Sequence, residues 1–265
     1  MYETINHLTT QIKQQNPLIL NLTNDVTMDF VANGLLSLGA SPIMSKAEKE
    51  LECLIQIANA VVINIGTLDD TFINLCKKAC QLANQNKKPL ILDPVGAGAT
   101  GYRTQTCLQL LKQFKFDLIR GNASEIMALA KVVNHTKGVD SCMTTQDAIT
   151  SGKTIASQYQ TIASQYQTIV VISGETDAVI TQDEMQLLIC GSPMMSKITG
   201  TGCLLTAVLG AFAVIAQDRF LAICAATKFY GDCGGRAALN AKGTGSFKTL
   251  FLDELSTIPK QNDYA

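Results

Sequence analysis

The chain alternates short apolar segments with longer segments in which apolar residues recur every three or four positions. The short segments are 17–23, 61–66, 89–93 and 169–173. Between the first two, Val26, Phe30 and Leu35 show the helical spacing, and Gly39 marks the predicted end of that helix. Strands that are apolar on both faces and alternate with amphipathic helices are typical of a parallel sheet covered on each side. We therefore predict an α/β fold with a mostly parallel central sheet.

The pattern changes in the last third of the chain. Two short segments, 177–181 and 185–190, flank a turn at 182–184 and predict a β-hairpin at the edge of the sheet. Two long helices are predicted to follow, over 203–216 and 219–241.

Composition narrows the class of partner. The formal net charge is −1, with Lys and Arg spread along the chain, which argues against nucleic acid or an anionic membrane as the partner. The nine cysteines show neither metal-ligand spacing nor a disulfide framework, so we expect reduced thiols and a cytoplasmic protein. Residues 1–15 lack a signal-peptide pattern. No Pro/Gly/Ser-rich linker interrupts the chain, and we predict one domain over 1–265 that binds small molecules.

The segment 198–203 leads directly into an apolar helix. Gly200 and Gly202 allow backbone N–H groups around Thr201 to point to one place, where the positive end of the helix favours an anion. The same field favours the thiolate of Cys203, which makes this thiol a candidate base. The alternative is an ordinary strand-to-helix turn whose cysteine packs as a small apolar residue.

Several polar residues and glycines follow directly after predicted strands. Ligands of parallel sheets bind beyond the carboxyl ends of the strands, where Asn24, Gly66, Asp93, Asn122 and the Gly200 turn are expected to meet. A carboxylate at such a strand end can hold hydrated Mg²⁺ or position a hydroxyl. The alternative for the aspartate is an Asx turn with the proline that follows it.

Arg120, Asn122 and Glu125 lie close together in the sequence. An arginine beside an amide and a carboxylate suits a Mg-nucleotide. The same residues also match a capping box, with Asn122 as N-cap and Glu125 in the first helical turn. Met44, at the end of another extended segment, could line a ligand pocket or fill a gap in the core.

Six motifs occur in order along the chain. They are Asn24-Asp-Val-Thr-Met-Asp-Phe-Val-Ala-Asn33, Gly39-Ala-Ser-Pro-Ile-Met44, Leu92-Asp-Pro-Val-Gly-Ala-Gly-Ala-Thr100, Arg120-Gly-Asn-Ala-Ser-Glu125, Gly138-Val-Asp-Ser141 and Thr199-Gly-Thr-Gly-Cys203. Together they make nearly the whole chain resemble the hydroxyethylthiazole kinase family. The resemblance implies a ribokinase-like three-layer α/β/α sandwich that forms a homotrimer with active sites between subunits. It also implies ATP-dependent phosphorylation of 4-methyl-5-(2-hydroxyethyl)thiazole, with Mg²⁺, in thiamine salvage and biosynthesis.

The resemblance also implies a role for each candidate residue. Met44 and Gly200 would contact the thiazole, and Asn24 and Gly66 would shape its pocket. ATP would contact Arg120, Asn122 and Ser173, the metal would contact Asp93 and Glu125, and the transferring phosphoryl group would meet Gly200, Thr201, Gly202 and Cys203.

Some features depart from the pattern that the resemblance implies. Ser173 replaces the commoner Thr, and Gly101 stands where Pro is expected. The heptad 154–160 is repeated letter for letter as 161–167, which predicts a helix lengthened by nearly two turns. Ribokinase-like enzymes generally carry Asp where this chain has Cys203, as the base that takes the proton from the attacking hydroxyl.

Two other functions compete with this one. A related kinase could act on a hydroxymethylpyrimidine, but Asn24 and Met44 favour a thiazole. A nucleotide-binding regulator without turnover would need a broken Arg120, Glu125 or 200–203 set, and all of these residues are present. The sequence therefore predicts a kinase of the hydroxyethylthiazole kinase family.

Overall fold

A computed structural model describes residues 1–129 and 168–258. Its centre is one eight-stranded sheet in the order β2-β1-β3-β4-β5-β6-β7-β8. The strands are Leu18–Leu22 (β1), Ser41–Met44 (β2), Ala60–Asn64 (β3), Leu90–Asp93 (β4), Leu118–Asn122 (β5), Ile169–Ser173 (β6), Asp177–Ile180 (β7) and Met185–Leu188 (β8). β1 to β6 pair in parallel, whereas β7 and β8 form an antiparallel hairpin at the edge. The predicted mostly parallel sheet and its edge hairpin are both confirmed.

Nine α-helices lie within the two described ranges. They are Tyr2–Gln15 (α1), Met28–Leu38 (α2), Leu51–Ile57 (α3), Asp70–Gln85 (α4), Gly101–Gln113 (α5), Ala123–Leu129 (α6), Thr201–Ala213 (α7), Arg219–Asn240 (α8) and Thr244–Ser256 (α9). Short 3₁₀ turns occupy Glu48–Glu50 and Met195–Lys197. α2 ends at Gly39 as predicted, because this glycine adopts the left-handed conformation with φ 97°. α7 begins two residues before the predicted start and ends at Ala213 instead of residue 216.

The helices cover both faces of the sheet and form two hydrophobic cores. One core joins the sheet to α1, α2, α7, α8 and α9, and the other joins it to α3, α4, α5 and α6. β3 shows how one strand serves both: Val62 lies in the first core, whereas Val61 and Ile63 lie in the second. A strand flanked by helices on both faces has no polar side, which explains why these strands are apolar throughout. The α/β/α sandwich expected from the sequence is confirmed.

The direction of the strand order reverses at β1. This strand pairs with β2 on one side and β3 on the other. The chain therefore passes from β1 to β2 in one direction and then from β2 back across β1 to β3 in the other. The carboxyl ends of β1 and β3 therefore open a crevice, which is where ligands bind in open parallel sheets.

α7 lies against this part of the sheet and is almost wholly apolar. All its residues from Leu204 to Ala213 are buried. Gly34 of α2 allows the close approach, because a Cβ there would lie 2.3 Å from Cδ1 of Leu204. The tight packing holds the start of α7 rigidly beside the crevice.

No helix within residues 1–129 and 168–258 is long and apolar enough to cross a membrane. The motif at 138–141 and the duplicated heptad at 154–167 lie outside the described residues.

Candidate active site

The start of α7 requires glycine at two positions. Gly200 has φ 97°, and a Cβ on it would lie 2.9 Å from Cγ2 of Thr27. A Cβ on Gly202 would lie 2.5 Å from Nη1 of Arg120. The turn between them is held by the hydroxyl of Tyr230, which donates to the carbonyl of Thr201 at 2.6 Å. The glycines thus let backbone and guanidinium approach each other at the positive end of a helix.

A chain of hydrogen-bonded side chains fills the crevice between β1 and β3. Nδ2 of Asn24 donates to Oδ1 of Asn64 at 2.9 Å and lies 3.3 Å from Sγ of Cys203. Nδ2 of Asn64 donates to Oδ2 of Asp93 at 2.9 Å. We call Asn24, Asn64 and Cys203 the amide crevice. It links Asn24, which follows β1, to the carboxylate of Asp93 at the end of β4.

Asp93 is fully buried, yet only one of its oxygens is hydrogen-bonded. Oδ2 also accepts from the hydroxyl of Thr206 at 2.7 Å. Among the described residues, Oδ1 has no hydrogen-bond partner, and Nη1 of Arg120 lies 3.9 Å away. Burial raises the pKa of Asp93, while Arg120, Thr206 and Asn64 act against this rise. A buried carboxylate with one free oxygen is a candidate ligand for a hard cation.

Glu125 forms the capping arrangement that the sequence offered as an alternative. Its backbone N–H donates to Oδ1 of Asn122 at 2.9 Å, and its Oε2 accepts from the backbone N–H of Asn122 at 2.8 Å. Its Oε1 accepts from the N–H of Gly96 at 2.8 Å. Burial and the nearby Asp93 raise the pKa of Glu125, and these backbone donors oppose the rise. Glu125 therefore joins the loop after β4 to the end of β5, and its metal role stays a prediction.

A cavity of about 720 Å³ lies on the other side of the glycine turn. Its lining includes Arg120, Ser173, Gly174, Asp177, Gly202 and Tyr230. Nη2 of Arg120 donates to the hydroxyl of Ser173, so two of the three predicted ATP contacts meet in one wall. Asn122 ends β5 in the same parallel register, opposite Ser173. The cavity is large enough for a nucleotide, because small-molecule sites commonly measure about 300–1,000 Å³.

Asp177 is an acidic residue of the cavity lining for which no role was predicted from the sequence. Its Oδ1 accepts from the backbone N–H of Gly174 at 3.0 Å. Burial raises the pKa of Asp177 to about 6, although the N–H of Gly174 and the charge of Arg120 act against the rise. This carboxyl group therefore changes charge close to neutral pH.

Cys203 does not meet the expectation that the helix field favours its thiolate. Burial raises the pKa of the Cys203 thiol, and the charge of Asp93 raises it further. The nearby polar side chains of Thr27, Asn64 and Asn24 act in the opposite direction, and Nδ2 of Asn24 lies 3.3 Å from the sulfur. Desolvation is the largest of these effects, so the thiol is the favoured form at neutral pH. This part of the prediction is wrong.

Gly66 and Met44 take different positions relative to the crevice. The N–H of Gly66 donates to Oδ1 of Asn64 at 3.0 Å, and a Cβ on Gly66 would lie 2.8 Å from Cβ of Asn24. Met44 ends the edge strand β2, opposite Asn21, and packs against the core on the α7 side. Gly66 thus lies within the site, whereas Met44 lies one strand beyond β1.

Besides Asp177, the fold brings three residues to the site that were not predicted from the sequence. Asn64 and Thr206 contact Asp93, and Arg103 donates to the carbonyls of Val95 and Gly66 at 2.9 and 2.8 Å. Asn64 carries a sequence signal, since it is a polar residue at the end of an apolar strand. Thr206 carries none, because it lies within an apolar helix.

Comparison with known proteins gives a consistent result. The model of the hydroxyethylthiazole kinase family matches residues 9–261. The chain belongs to the hydroxyethylthiazole kinase family. A hydroxyethylthiazole kinase of Carboxydothermus hydrogenoformans is 44% identical over 98% of this chain and 95% of its own length.

Solved structures agree with this membership in the family. The hydroxyethylthiazole kinase of Pyrococcus horikoshii OT3 is 35% identical and covers 96% of this chain and 93% of its own, with a TM-score of 0.85. A ribokinase-like superfamily protein of Enterococcus faecalis is 13% identical, covers 97% of this chain and 95% of its own, and has a TM-score of 0.66; this likeness shows the fold alone. The family, the fold and the enzyme class predicted from the sequence are confirmed.

Proposed function

We propose that this site transfers the γ-phosphoryl group of ATP to the hydroxyethyl group of 4-methyl-5-(2-hydroxyethyl)thiazole, for thiamine biosynthesis. One observation carries the proposal: the glycine turn at the start of α7 lies between the cavity and the amide crevice. Gly202 lines the cavity beside Arg120, and the next residue, Cys203, contacts Asn24 in the crevice. A phosphoryl group passing from one side to the other would cross the positive end of the helix.

On the nucleotide side, the cavity offers the positive charge of Arg120 to the negative phosphates of ATP. Arg120 extends into the cavity wall next to Gly202, where its guanidinium would bind phosphate oxygens of ATP. The first backbone N–H groups of α7 have no partner within the helix and would receive the transferring group. Phosphoryl transfer depends mainly on such positioning and neutralisation of oxygens, which these groups would supply.

The residues around Asp93 fit a Mg²⁺ ion. Its free Oδ1 is a buried carboxylate oxygen, the donor type that Mg²⁺ prefers. Asp93 would hold the ion directly or through water, and Glu125 would support it from the adjoining loop. When bound, Mg²⁺ neutralises phosphate oxygens and orients ATP. Asp93 needs this cation, since without it a buried carboxylate would repel phosphate.

On the acceptor side, Asn24 and Cys203 would face the hydroxyethyl group. The sulfur would accept the hydroxyl proton late in the transfer, because a loose transition state needs little help from a base. It can do so only as the thiolate, so the thiol that prevails in the free protein would first release its own proton to solvent. The acceleration would then come chiefly from the helix terminus, the arginine and the metal.

The test is a measurement of ADP release with Mg-ATP and a panel of small alcohols. We expect hydroxyethylthiazole to stimulate release more than a hydroxymethylpyrimidine or pyridoxal. A preference for the pyrimidine would favour the related kinase instead. No stimulation by any alcohol, together with tight binding of ATP, would favour a regulator without turnover.

Assembly and location remain predictions from the family resemblance and the composition. A homotrimer would bring Met44, at the sheet edge, to a thiazole site shared between subunits. Light scattering on the purified protein measures its mass, and a monomer that is fully active would contradict the shared site. The cytoplasmic location stays a prediction from the use of cysteine.

A further inference from the structure

Asn64 lies at the centre of the amide crevice, and the functions proposed above assign it no task. Its side chain is 1% exposed. It contacts Asp93 through Nδ2 and both Asn24 and Gly66 through Oδ1. All three contacts lie between 2.9 and 3.0 Å. Asn64 therefore joins the carboxylate expected to serve the metal to the amide beside the thiol.

The orientation of the Asn64 amide follows from partners that cannot exchange their roles. The backbone N–H of Gly66 can only donate, so the oxygen of the amide must face it. The carboxylate of Asp93 only accepts, so the nitrogen must face that group. A flipped amide would place two donors together on one side and two acceptors together on the other.

The same reasoning determines the orientation of Asn24. Its Oδ1 accepts from the backbone N–H and the hydroxyl of Thr27, at 3.1 and 3.0 Å. Its Nδ2 must then face Oδ1 of Asn64, and its second N–H is left for Sγ of Cys203 at 3.3 Å. Because the sulfur accepts from Asn24, the hydrogen of its S–H group has to point in another direction.

We propose that Asn64 is a positioning residue for phosphoryl transfer, which acts through Asn24 to orient the sulfur of Cys203. Contacts at both ends hold the plane of the Asn24 amide, one at Thr27 and one at Asn64. Without Asn64, the amide can swing about its Thr27 contact, and its N–H no longer points at the sulfur. The inference rests on the proposed function and adds a residue to it.

A double-mutant cycle tests this inference. With Cys203 present, we expect Asn64→Ala to lower kcat roughly 10- to 100-fold, the range typical of residues that orient a reacting group. In the Cys203→Ala background the same change should lower kcat by no more than about twofold, the scatter of independent substitutions. An equal loss in both backgrounds would overturn the proposal, because Asn64 would then serve Asp93 or the fold alone.

Asn84→Ala is the matched control. Asn84 also donates and accepts through its amide, at 2.9 and 2.8 Å, but both bonds go to Lys115 at the amino end of β5. We expect this variant to keep the kcat of the unaltered protein. Thermal unfolding of each variant identifies loss of fold, and Asn64→Ser replaces Asn64→Ala in the whole cycle if the alanine variant does not fold.

A second measurement requires no turnover. Iodoacetamide modifies Cys203 at a rate that mass spectrometry of its peptide reports, without metal or nucleotide. We expect Asn64→Ala to change this rate at least about threefold and Asn84→Ala to leave it within about twofold. The alkylation result decides the question if Cys203→Ala turns over too slowly to measure, and a smaller change than threefold then overturns the proposal. If the unaltered protein phosphorylates no alcohol, the proposed function fails while this orientation is still tested.

Discussion

The two sides of the glycine turn are built on different principles. The cavity presents charged and polar side chains, among them Arg120, Ser173 and Asp177, beside apolar ones to whatever enters it. In the amide crevice, Asn24 and Asn64 are buried and are hydrogen-bonded to each other and to their neighbours. A nucleotide must enter and leave, so a few charged contacts suit that side. The transfer step tolerates little displacement, so a rigid network suits the other.

Asp93 lies where the two sides meet, and its cation should show the largest effect. Chelation of Mg²⁺ by EDTA should abolish turnover, and Asp93→Asn should lower kcat by roughly 10³-fold, since a bound cation is worth several kcal/mol. Asp253→Asn, at an exposed position of α9, is the control and should have no effect. Undiminished turnover in EDTA would mean that Asp93 and Glu125 are structural only.

Cys203 should show the next largest effect. Cys203→Ala should slow turnover by roughly 10²- to 10⁴-fold, the range for losing a general base, while leaving it measurable. Cys203→Asp should stay active, because a carboxylate can accept the same proton and is ionised already. Steady-state kinetics of the two variants decides the matter: an inactive Asp variant beside a fully active Ala variant would leave the thiol as a packing residue.

Gly202 tests the cavity side. Gly202→Ala should raise the KM for ATP and lower kcat, together by about 10²-fold, because the new methyl group would displace the guanidinium of Arg120. Gly245→Ala is the control, since a Cβ at Gly245 has open space around it within α9. Equal kinetics for the two alanine variants would show that Arg120 can move without consequence.

Asp177 should show the smallest effect, and the effect is on stability. Its folded-state pKa of about 6 is above its ordinary 3.8, so at intermediate pH the folded protein keeps a proton that the unfolded chain releases. The stability contributed by the neutral form is therefore present at low pH and is lost as the pH rises through about 6. This loss should be visible in the free energy of unfolding.

Asp177→Asn stays neutral at every pH and can still accept from Gly174. We expect it to be more stable than the unaltered protein near pH 8, by on the order of 1 kcal/mol, and equally stable near pH 4. Urea unfolding at the two pH values measures the difference. The same difference at both pH values would mean that the carboxyl group does not titrate in this range.

Local patterns predicted most of the sheet but only some of the helices. β1, β3, β4 and β6 are apolar on both faces and stand out in the sequence. No prediction was made for α1, although its buried residues Ile5, Leu8 and Ile12 follow the helical spacing. Their signal is weak, because polar residues surround them and only contact with the folded domain stabilises the helix.

The candidate site divides in the same way. Gly200, Gly202 and Asp93 were predicted because turns and strand ends have recognisable chemistry. Whether Glu125 caps a helix or binds a metal could not be predicted, since one sequence motif serves both purposes.

What local sequence alone decides here is the set of strands, the glycine turn and the identity of the family, because each depends on residues close together in the chain or on motifs in a given order. The tertiary structure decides the rest. Asn24, Asn64 and Asp93 lie far apart in the chain, and the pairing of β3 with β1 on one side and β4 on the other brings them into hydrogen-bonding distance. The ionisation of Cys203 depends on burial, which is a property of the packed molecule, and burial raises the pKa of the thiol where the sequence predicted a favoured thiolate.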